Sequence, residues 1–510
     1  MKALFAHKYA LAALVIVVLG ALYGLAGLSH PVALAAGSQS RPPTRAPVTT
    51  AIRACPSPGS PGGGGVAIIA GASGTGQASP ASAGTASQGT AVVSRLSAAG
   101  SAEDGTPLIT LRRPGVLTRA AIPVATARSG LVPRGSQPAA GGKVLGGPSR
   151  GGVIVRATGL MARALAVEQT GSGGLPTALC GSPGTDFWFA GPGLASVAGL
   201  QLYLMNTDGQ PADAEVDIFT GTGPLLGSTD TGVAVPAHGL LIQSLAKLVH
   251  GSRVVGLHVR TSVGRIVAAV RETKSARQPG AWLPASQPPA RRLIVPGLPA
   301  SAGTRELYVA VPGVGSAQVK VTAVTAKGSY QPTGGTGIDL TGGSAGLVPL
   351  PSLAGVAAAV RITSSVPVTA AMLVPGGPPG APGAVSAASA PIEEQGVIAD
   401  NLSGSGDAST LILSAPRGAA QVRITENGAA ARVIAIKTAH TVVVRLRAPS
   451  GSAARSPFAV VITPLAGSGA VYAGRVVTVH GTVESIFPVQ SSLTSVPLPP
   501  VRDSLATVLP

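Results

Sequence analysis

The sequence predicts an all-β fold: tandem antiparallel β-sandwich modules of immunoglobulin-like type behind one N-terminal transmembrane helix. Three observations predict it. A short segment alternating apolar and polar residues recurs at 214–219, 317–322 and 420–425, its starting alanines 103 residues apart both times. Alternation with period two marks a strand with one buried face and turns Val216, Ile218, Val319, Val321, Val422 and Ile424 toward cores. The 70 Gly and 45 Pro punctuate the 510 residues densely, well above the roughly 12% of ordinary domains. Hydrophobic residues make 45% of the chain but aromatic ones only 3%, so the cores are thin, numerous and built from Ala and Val.

The elements follow in order. Residues 1–8 form a basic head with Lys2 and Lys8, and 9–28 carry no charge. At 1.5 Å per residue that run spans about 30 Å, the thickness of a hydrocarbon core. The flanking lysines orient the N-terminus inward, which places the bulk of the chain outside the cell membrane. The alternative is secretion after signal cleavage near Ala33-Leu34-Ala35-Ala36.

Residues 37–172 then form a basic β module with low-complexity insertions at 71–88 and 127–142. Three further modules cover 180–275, 290–376 and 392–482, and a Pro-rich tail covers 483–510. Within each module a strand such as Leu202-Tyr203-Leu204-Met205 or Leu307-Tyr308-Val309-Ala310 precedes the repeated segment across a turn. A hairpin closes each unit: 259–262 into 265–270, 360–363 into 366–373, and 460–463 into 470–472. The same pattern at 155–158 and 163–167 reveals the first, divergent copy. The joints fall at glycine- and proline-rich stretches, 171–174, 287–289 and 376–382. A single β-propeller is the architectural alternative, although propeller blades use fewer residues.

The chemistry-bearing residues are few: two Cys, seven His and 19 acids. Cys55 and Cys180 form an even pair in an exported chain, so a disulfide stapling modules one and two is expected. No catalytic, cofactor or metal site is expected. Gly147-Pro148-Ser149-Arg150-Gly151 matches the nucleophile-elbow pattern but precedes a strand, in a module without histidine. Gly71-Ala72-Ser73-Gly74-Thr75-Gly76 lacks the lysine of a phosphate loop. Asn206, Asp208, Asp213, Glu215 and Asp217 are the densest acidic patch, read as a turn and the solvated face of one strand rather than a calcium site. Trp188 and Trp282 are the candidates for stacking on a sugar ligand, against a reading as core or interface plugs.

These features together resemble a family of actinobacterial exported proteins with one N-terminal anchor, catalogued only as a domain of unknown function. The resemblance rests on the anchor, on Cys55-Pro56, and on Cys180 followed by Asp186-Phe187-Trp188-Phe189-Ala190-Gly191. Leu204-Met205-Asn206, the 259–270 segment and the ending Val496-Pro497-Leu498-Pro499-Pro500 add to it. It covers most of 9–510, and the low-complexity insertions of module one depart from it. It implies no activity.

Charge supplies the partner. Residues 37–172 hold thirteen Arg or Lys against Glu103, Asp104 and Glu168, or +10 of the total +18. Nucleic acid is not expected outside the cell; anionic lipid or an anionic wall polymer is. The function expected is a non-enzymatic, membrane-anchored envelope protein presenting its modules as an interaction or scaffold surface. An extracellular glycan-binding protein is the first alternative and a secreted hydrolase the second.

Overall fold

The computed structural model describes residues 17–20, 45–56, 64–72, 89–96, 107–122, 151–171, 175–225, 232–274, 280–376, 383–404, 406–426, 429–449 and 456–498. The chain divides into two units, Met1–Ala46 with Pro497–Pro510, and Pro47–Val496. In the first, residues 17–20 are helical, and the remainder of the apolar run 9–28 lies outside the described residues. Among the described residues no helix is long and apolar enough to cross a membrane.

The second unit is built on strands, with one-turn 3-10 helices only at Gly159–Ala162 and Pro351–Leu353 among the described residues. After β1 (Arg45–Pro47), module one contributes β2 (Thr50–Cys55), β3 (Gly65–Ile69), β4 (Ala91–Leu96), β5 (Pro107–Leu111), β6 (Thr118–Ala121), β7 (Gly152–Thr158), β8 (Ala166–Thr170) and β9 (Pro176–Leu179). They pair as two antiparallel sheets, β2-β7-β4-β5 and β6-β3-β8-β9. In the first sheet the first strand lies beside the sixth, the sixth beside the third and the third beside the fourth. In the second sheet the order is fifth, second, seventh, eighth.

Module two repeats this order. Its strands are β10 (Asp186–Pro192), β11 (Gly199–Asn206), β12 (Ala212–Thr220), β13 (Gly223–Pro224), β14 (Val233–Val235), β15 (Leu240–Ser244), β16 (Val254–Val263), β17 (Ile266–Thr273) and β18 (Trp282–Leu283). The sheets are β10-β16-β12-β13 and β15-β11-β17-β18, with β14 also on β12. Module three has β19 (Ala290–Leu298), β20 (Arg305–Ala310), β21 (Ala317–Thr325), β22 (Gly328–Tyr330), β23 (Ile338–Leu340), β24 (Ala345–Leu350), β25 (Ala358–Val374) and β26 (Ala384–Ala387). Here the sixth and seventh strands are one: β25 pairs β19 and β21 with its first half, and β20 and β26 with its second. Module four, β27 (Gly396–Asn401), β28 (Asp407–Arg417), β29 (Ala420–Glu426), β30 (Arg432–Ile436), β31 (His440–Arg445), β32 (Phe458–Pro464), β33 (Ala470–Val479) and β34 (Thr482–Pro488), gives β27-β32-β29-β30 and β31-β28-β33-β34. A last short strand, β35 (Ser495–Pro497), follows.

The expected alternation holds: Val216, Ile218, Val319, Val321, Val422 and Ile424 are all buried in the cores between paired sheets. Three expectations change. The strand order is not that of an immunoglobulin constant domain, in which the first strand lies in the sheet of the second; here it lies beside the sixth. Residues 259–270 are not a hairpin, because β16 and β17 belong to opposite sheets and the exposed turn at Gly264-Arg265 carries the chain from one to the other. The corresponding pairs β7–β8 and β32–β33 behave alike. Finally, the eighth strands β9, β18, β26 and most of β34 lie beyond the module ends set at 172, 275, 376 and 482. The stretches 171–174 and 376–382 each precede an eighth strand, while 287–289 falls between β18 and β19, where a joint was expected.

The modules are not strung out in a line. The first sheet of each packs on the second sheet of the next. Ala54, Leu96 and Ile154 of module one meet Tyr203, Met205, Leu240 and Val267 of module two. Tyr308, Ala310, Ala345 and Val385 of module three complete the core cluster of module two. Ile412, Val476 and Ile486 of module four do the same for module three. Module four returns to module one, Val397, Ala399 and Val461 packing on Ala67, Ile69 and Ala164. The four therefore close into a ring, and the radial repetition of a propeller is present at the level of paired sheets.

The returning contact differs from the others in burying an ion pair. Glu168 on β8 accepts from Arg475 Nη2 on β33 at 2.6 Å and from the Ala399 backbone N–H at 2.9 Å. Arg475 also donates to the Asp400 carbonyl oxygen and lies 4.5 Å over the Phe487 ring. The Asp400 carboxylate accepts from Arg119 Nη2 at 2.6 Å. Burial pushes Glu168 and Asp400 above the usual carboxylate range, against the pull of Arg475 and Arg119 respectively.

Candidate functional site

The residues singled out in the sequence fall into structural roles. Cys55 and Cys180 are joined by a disulfide. Cys55 ends β2 in the first sheet of module one, and Cys180 follows β9 in its second, so the bridge ties the two sheets of one module across their core rather than two modules together. Trp188 on β10 is buried, with His258 stacked on it at 3.7 Å and Phe219 nearby at 6.4 Å. Trp282 on β18 is half-buried against Tyr203, with Arg271 5.6 Å over its ring. It belongs to the last strand of module two.

Most of the acidic patch is taken up by partners on neighbouring strands and turns. Asn206 is a turn residue: its Nδ2 donates to the Gln210 carbonyl at 2.7 Å and its Oδ1 accepts from the Asp208 N–H at 2.9 Å. Asp208 receives Arg265 through two contacts of 3.1 Å. Glu215 pairs with Arg260 at 2.7 Å. His258 sits between Asp186 and Asp217 at 2.8 and 3.1 Å. Among the described residues no group of three or more His, Cys, Asp or Glu is placed to hold a metal ion. Ser149 and residues 73–76 lie outside the described residues.

The same three strand positions in module three carry a different charge pattern. β25 is flanked by β19 and β21, and in this register Thr363 faces Arg292 on one side and Lys320 on the other. In the next outward-facing row Arg361 faces Ile294 and Thr322. Their neighbours Leu293, Val321 and Ile362 point into the module core, so alternation sends Arg292, Lys320, Thr322, Arg361 and Thr363 to the opposite face. Module four stands across from this face, its Thr441 Oγ1 donating to the Val324 carbonyl of β21 at 2.7 Å. At the open end Arg417 of β28 completes a cleft of about 480 Å³ lined by Arg292, Lys320, Thr322, Arg361, Thr363 and Arg417.

Four cations and two hydroxyls thus line one concavity, and no carboxylate is among its walls. The nearest acid in register is Asp339 on β23, opposite Gln318 at the far margin of β21. Among the described residues none of the four cations forms an ion pair. A cleft of this kind holds an anion by charge-assisted hydrogen bonds; it contains no nucleophile–base pair.

Sequence reasoning did not find this site. Lys320 and Arg361 read as solvent-facing strand residues, which they are. Their convergence with Arg292 follows from the first and third strands flanking the sixth, and that order is invisible in alternation alone.

Fold and cleft together define a closed ring of antiparallel β modules with a cationic site between two of them. The profile of the family of unknown function DUF5719 matches residues 134–447. That is more than half of the chain, and the chain belongs to this family. The matched span takes in all of modules two and three and the cleft residues Arg292, Lys320, Arg361 and Arg417. No curated protein and no solved structure matches the chain.

Proposed function

We propose that the protein is a non-enzymatic binding platform of the cell envelope. In this reading residues 9–28 anchor it in the cell membrane as a single pass, and the ring stands on the extracytoplasmic side as a scaffold toward anionic lipid or wall polymer. The cationic cleft between modules three and four carries the proposal, because its lining offers anion recognition and no group for general acid–base or nucleophilic work. The uncharged run with Lys2 and Lys8 before it supports the anchor and its orientation. The Cys55–Cys180 bridge suits an oxidising compartment. The surplus of +18 favours an anionic partner throughout. For a glycan reading the aromatic faces would have to be free, and Trp188 and Trp282 are covered by His258 and Tyr203.

The test is salt-dependent capture. Detergent-solubilised full-length protein, incubated with anionic wall polymer isolated from its own host, should be retained at low salt and released as salt rises. Exposed charges are screened over about 8 Å at physiological ionic strength. Retention indifferent to salt, or none at low salt, would sink the reading.

A further inference from the structure

We infer that the cleft between modules three and four is a site for phosphate groups, bound between the β19–β25–β21 face and Arg417. The inference rests on the anion-binding reading and narrows its ligand. Thr363 lies between Arg292 and Lys320 on neighbouring strands, which are separated by about 4.8 Å each. The two cations therefore stand about 10 Å apart at the backbone, on either side of a hydroxyl, with long side chains able to converge over it. Arg361 rises from the same central strand one outward row along, beside the Thr322 hydroxyl. Arg417 approaches from the other wall, on module four.

Donors thus come from the floor, both flanks and the facing wall. A carboxylate is planar and offers about four lone-pair sites. Three guanidinium forks, one ammonium and two hydroxyls exceed that number and cannot all lie in one plane. A tetrahedral phosphate presents oxygens in several directions, and guanidinium matches pairs of them bidentately. Module two shows that the pattern is not a by-product of a basic chain. On its own first, sixth and third strands, Asp186 and Asp217 lie against His258 and Glu215 pairs with Arg260. Module three carries no acid in the matching lining. The opening of about 480 Å³ admits a phosphate group with the residue attached to it, or two linked phosphates.

Phosphate could reach the cleft as a lipid headgroup or as a soluble or polymeric phosphate, and the experiment separates these sources. Full-length protein in detergent is titrated with inorganic pyrophosphate, inorganic polyphosphate, and a short-chain phosphatidylglycerol that stays monomeric. Polyglutamate of matched charge is the carboxylate control. Binding is read by calorimetry, and folding of every variant by thermal unfolding. The phosphate probes should bind at least tenfold more tightly than polyglutamate. Preference for short-chain phosphatidylglycerol over polyphosphate would assign the headgroup, and the reverse a soluble or polymeric source.

Arg361→Glu with Arg417→Glu should weaken phosphate binding at least tenfold. The milder Arg361→Gln with Arg417→Gln should weaken it severalfold with unfolding unchanged. Lys247→Glu with Arg253→Glu makes the same charge change on exposed residues of module two, outside both the cleft and the basic module, and should leave binding as it was. Equal losses from the two glutamate pairs would overturn the site, because net charge alone would then govern binding. Equal affinity for polyglutamate would overturn the phosphate assignment while leaving anion binding intact. Absence of binding by every probe, with wall polymer still captured in a salt-dependent way, would also reject the phosphate site and leave the broader reading standing.

Discussion

The contact that closes the ring and the three contacts between consecutive modules solve the same packing problem with different chemistry. Consecutive modules meet mainly through small and apolar residues at very short range. At Gly256 an added Cβ would lie 2.4 Å from the Ala310 Cβ, and at Gly474 2.4 Å from the Gly297 Cα. Module four meets module one through a smaller apolar cluster together with Glu168, Arg475, Asp400 and Arg119. Chain connectivity accounts for the difference. A consecutive module is delivered to its neighbour by a short linker, so complementarity of shape is enough. Arg475 and Glu168 are separated by 307 residues, and closing such a loop costs conformational entropy with no local contact to guide it. A buried ion pair adds little net stability over an apolar one, but a mismatched partner leaves a charge buried and unpaired. Charges at the closing seam therefore penalise docking of module four on any surface that does not supply their partners.

The largest effect should come from breaking that seam. Arg475→Met leaves Glu168 buried without its cation and should lower stability by about 3–5 kcal/mol, read as a lower thermal midpoint. Combining it with Glu168→Gln removes the stranded charge and should recover much of the loss. If the double variant were as unstable as Arg475→Met alone, the cost would come from lost packing on Phe487 and not from charge.

A consecutive contact supplies the contrasting case. Glu272 on β17 is buried, and neither of its carboxylate oxygens has a hydrogen-bond partner. It lies close enough to Tyr308 of module three to help hold that phenol protonated, after burial and the hydrogen bond to Glu306. Burial pushes Glu272 from its ordinary 4.5 up to about 7, opposed by Lys274. The folded chain thus keeps this proton to higher pH than the unfolded chain does. Stability should fall as pH rises from about 4.5 to about 7 and stay lower above it. Glu272→Gln removes that slope: near pH 4 the variant should match the parent, and above pH 8 it should be more stable by about 3 kcal/mol. Parallel stability curves for the two proteins across this range would refute the assignment.

The contrast between seams also marks what a sequence can disclose. Alternation reports which face of a strand is buried, and Val216, Val319 and Val422 obeyed it in three modules. It does not report which strand lies alongside. Residues 259–262 and 265–270 alternate as hairpin strands would, yet Gly264 carries the chain from one sheet to the other. The cleft was hidden for the same reason, since Arg292, Lys320 and Arg361 become neighbours only through sheet order. The seam charges were harder still. Glu168 reads as one of the few acids of a basic module, and only the return of module four gives it Arg475. Of the glycine- and proline-rich stretches, 287–289 marks a joint between β18 and β19, whereas 171–174 and 376–382 each precede the last strand of a module, and composition alone does not separate the two cases.

The smallest effect expected is at the glycine contact between modules three and four. Gly474 has an ordinary backbone conformation, so a side chain there meets no φ penalty. What it meets is the Gly297 backbone, at 2.4 Å from the Cα and 3.0 Å from the N. Backbone cannot rotate aside as a side chain can, so Gly474→Ala must push β33 and β19 apart by a fraction of an ångström. Overpacking of this kind costs about 1–3 kcal/mol. Gly313→Ala is the control: it lies on a turn of module three with nothing within 4 Å of the added Cβ, and should change stability by less than about 0.5 kcal/mol. Because Arg417 and Gly474 sit on neighbouring strands β28 and β33, separating the modules at Gly474 should also loosen the cleft and weaken polyphosphate binding severalfold. If Gly474→Ala lowered the thermal midpoint and left polyphosphate affinity untouched, the facing wall of module four would contribute stability to the ring but not geometry to the cleft.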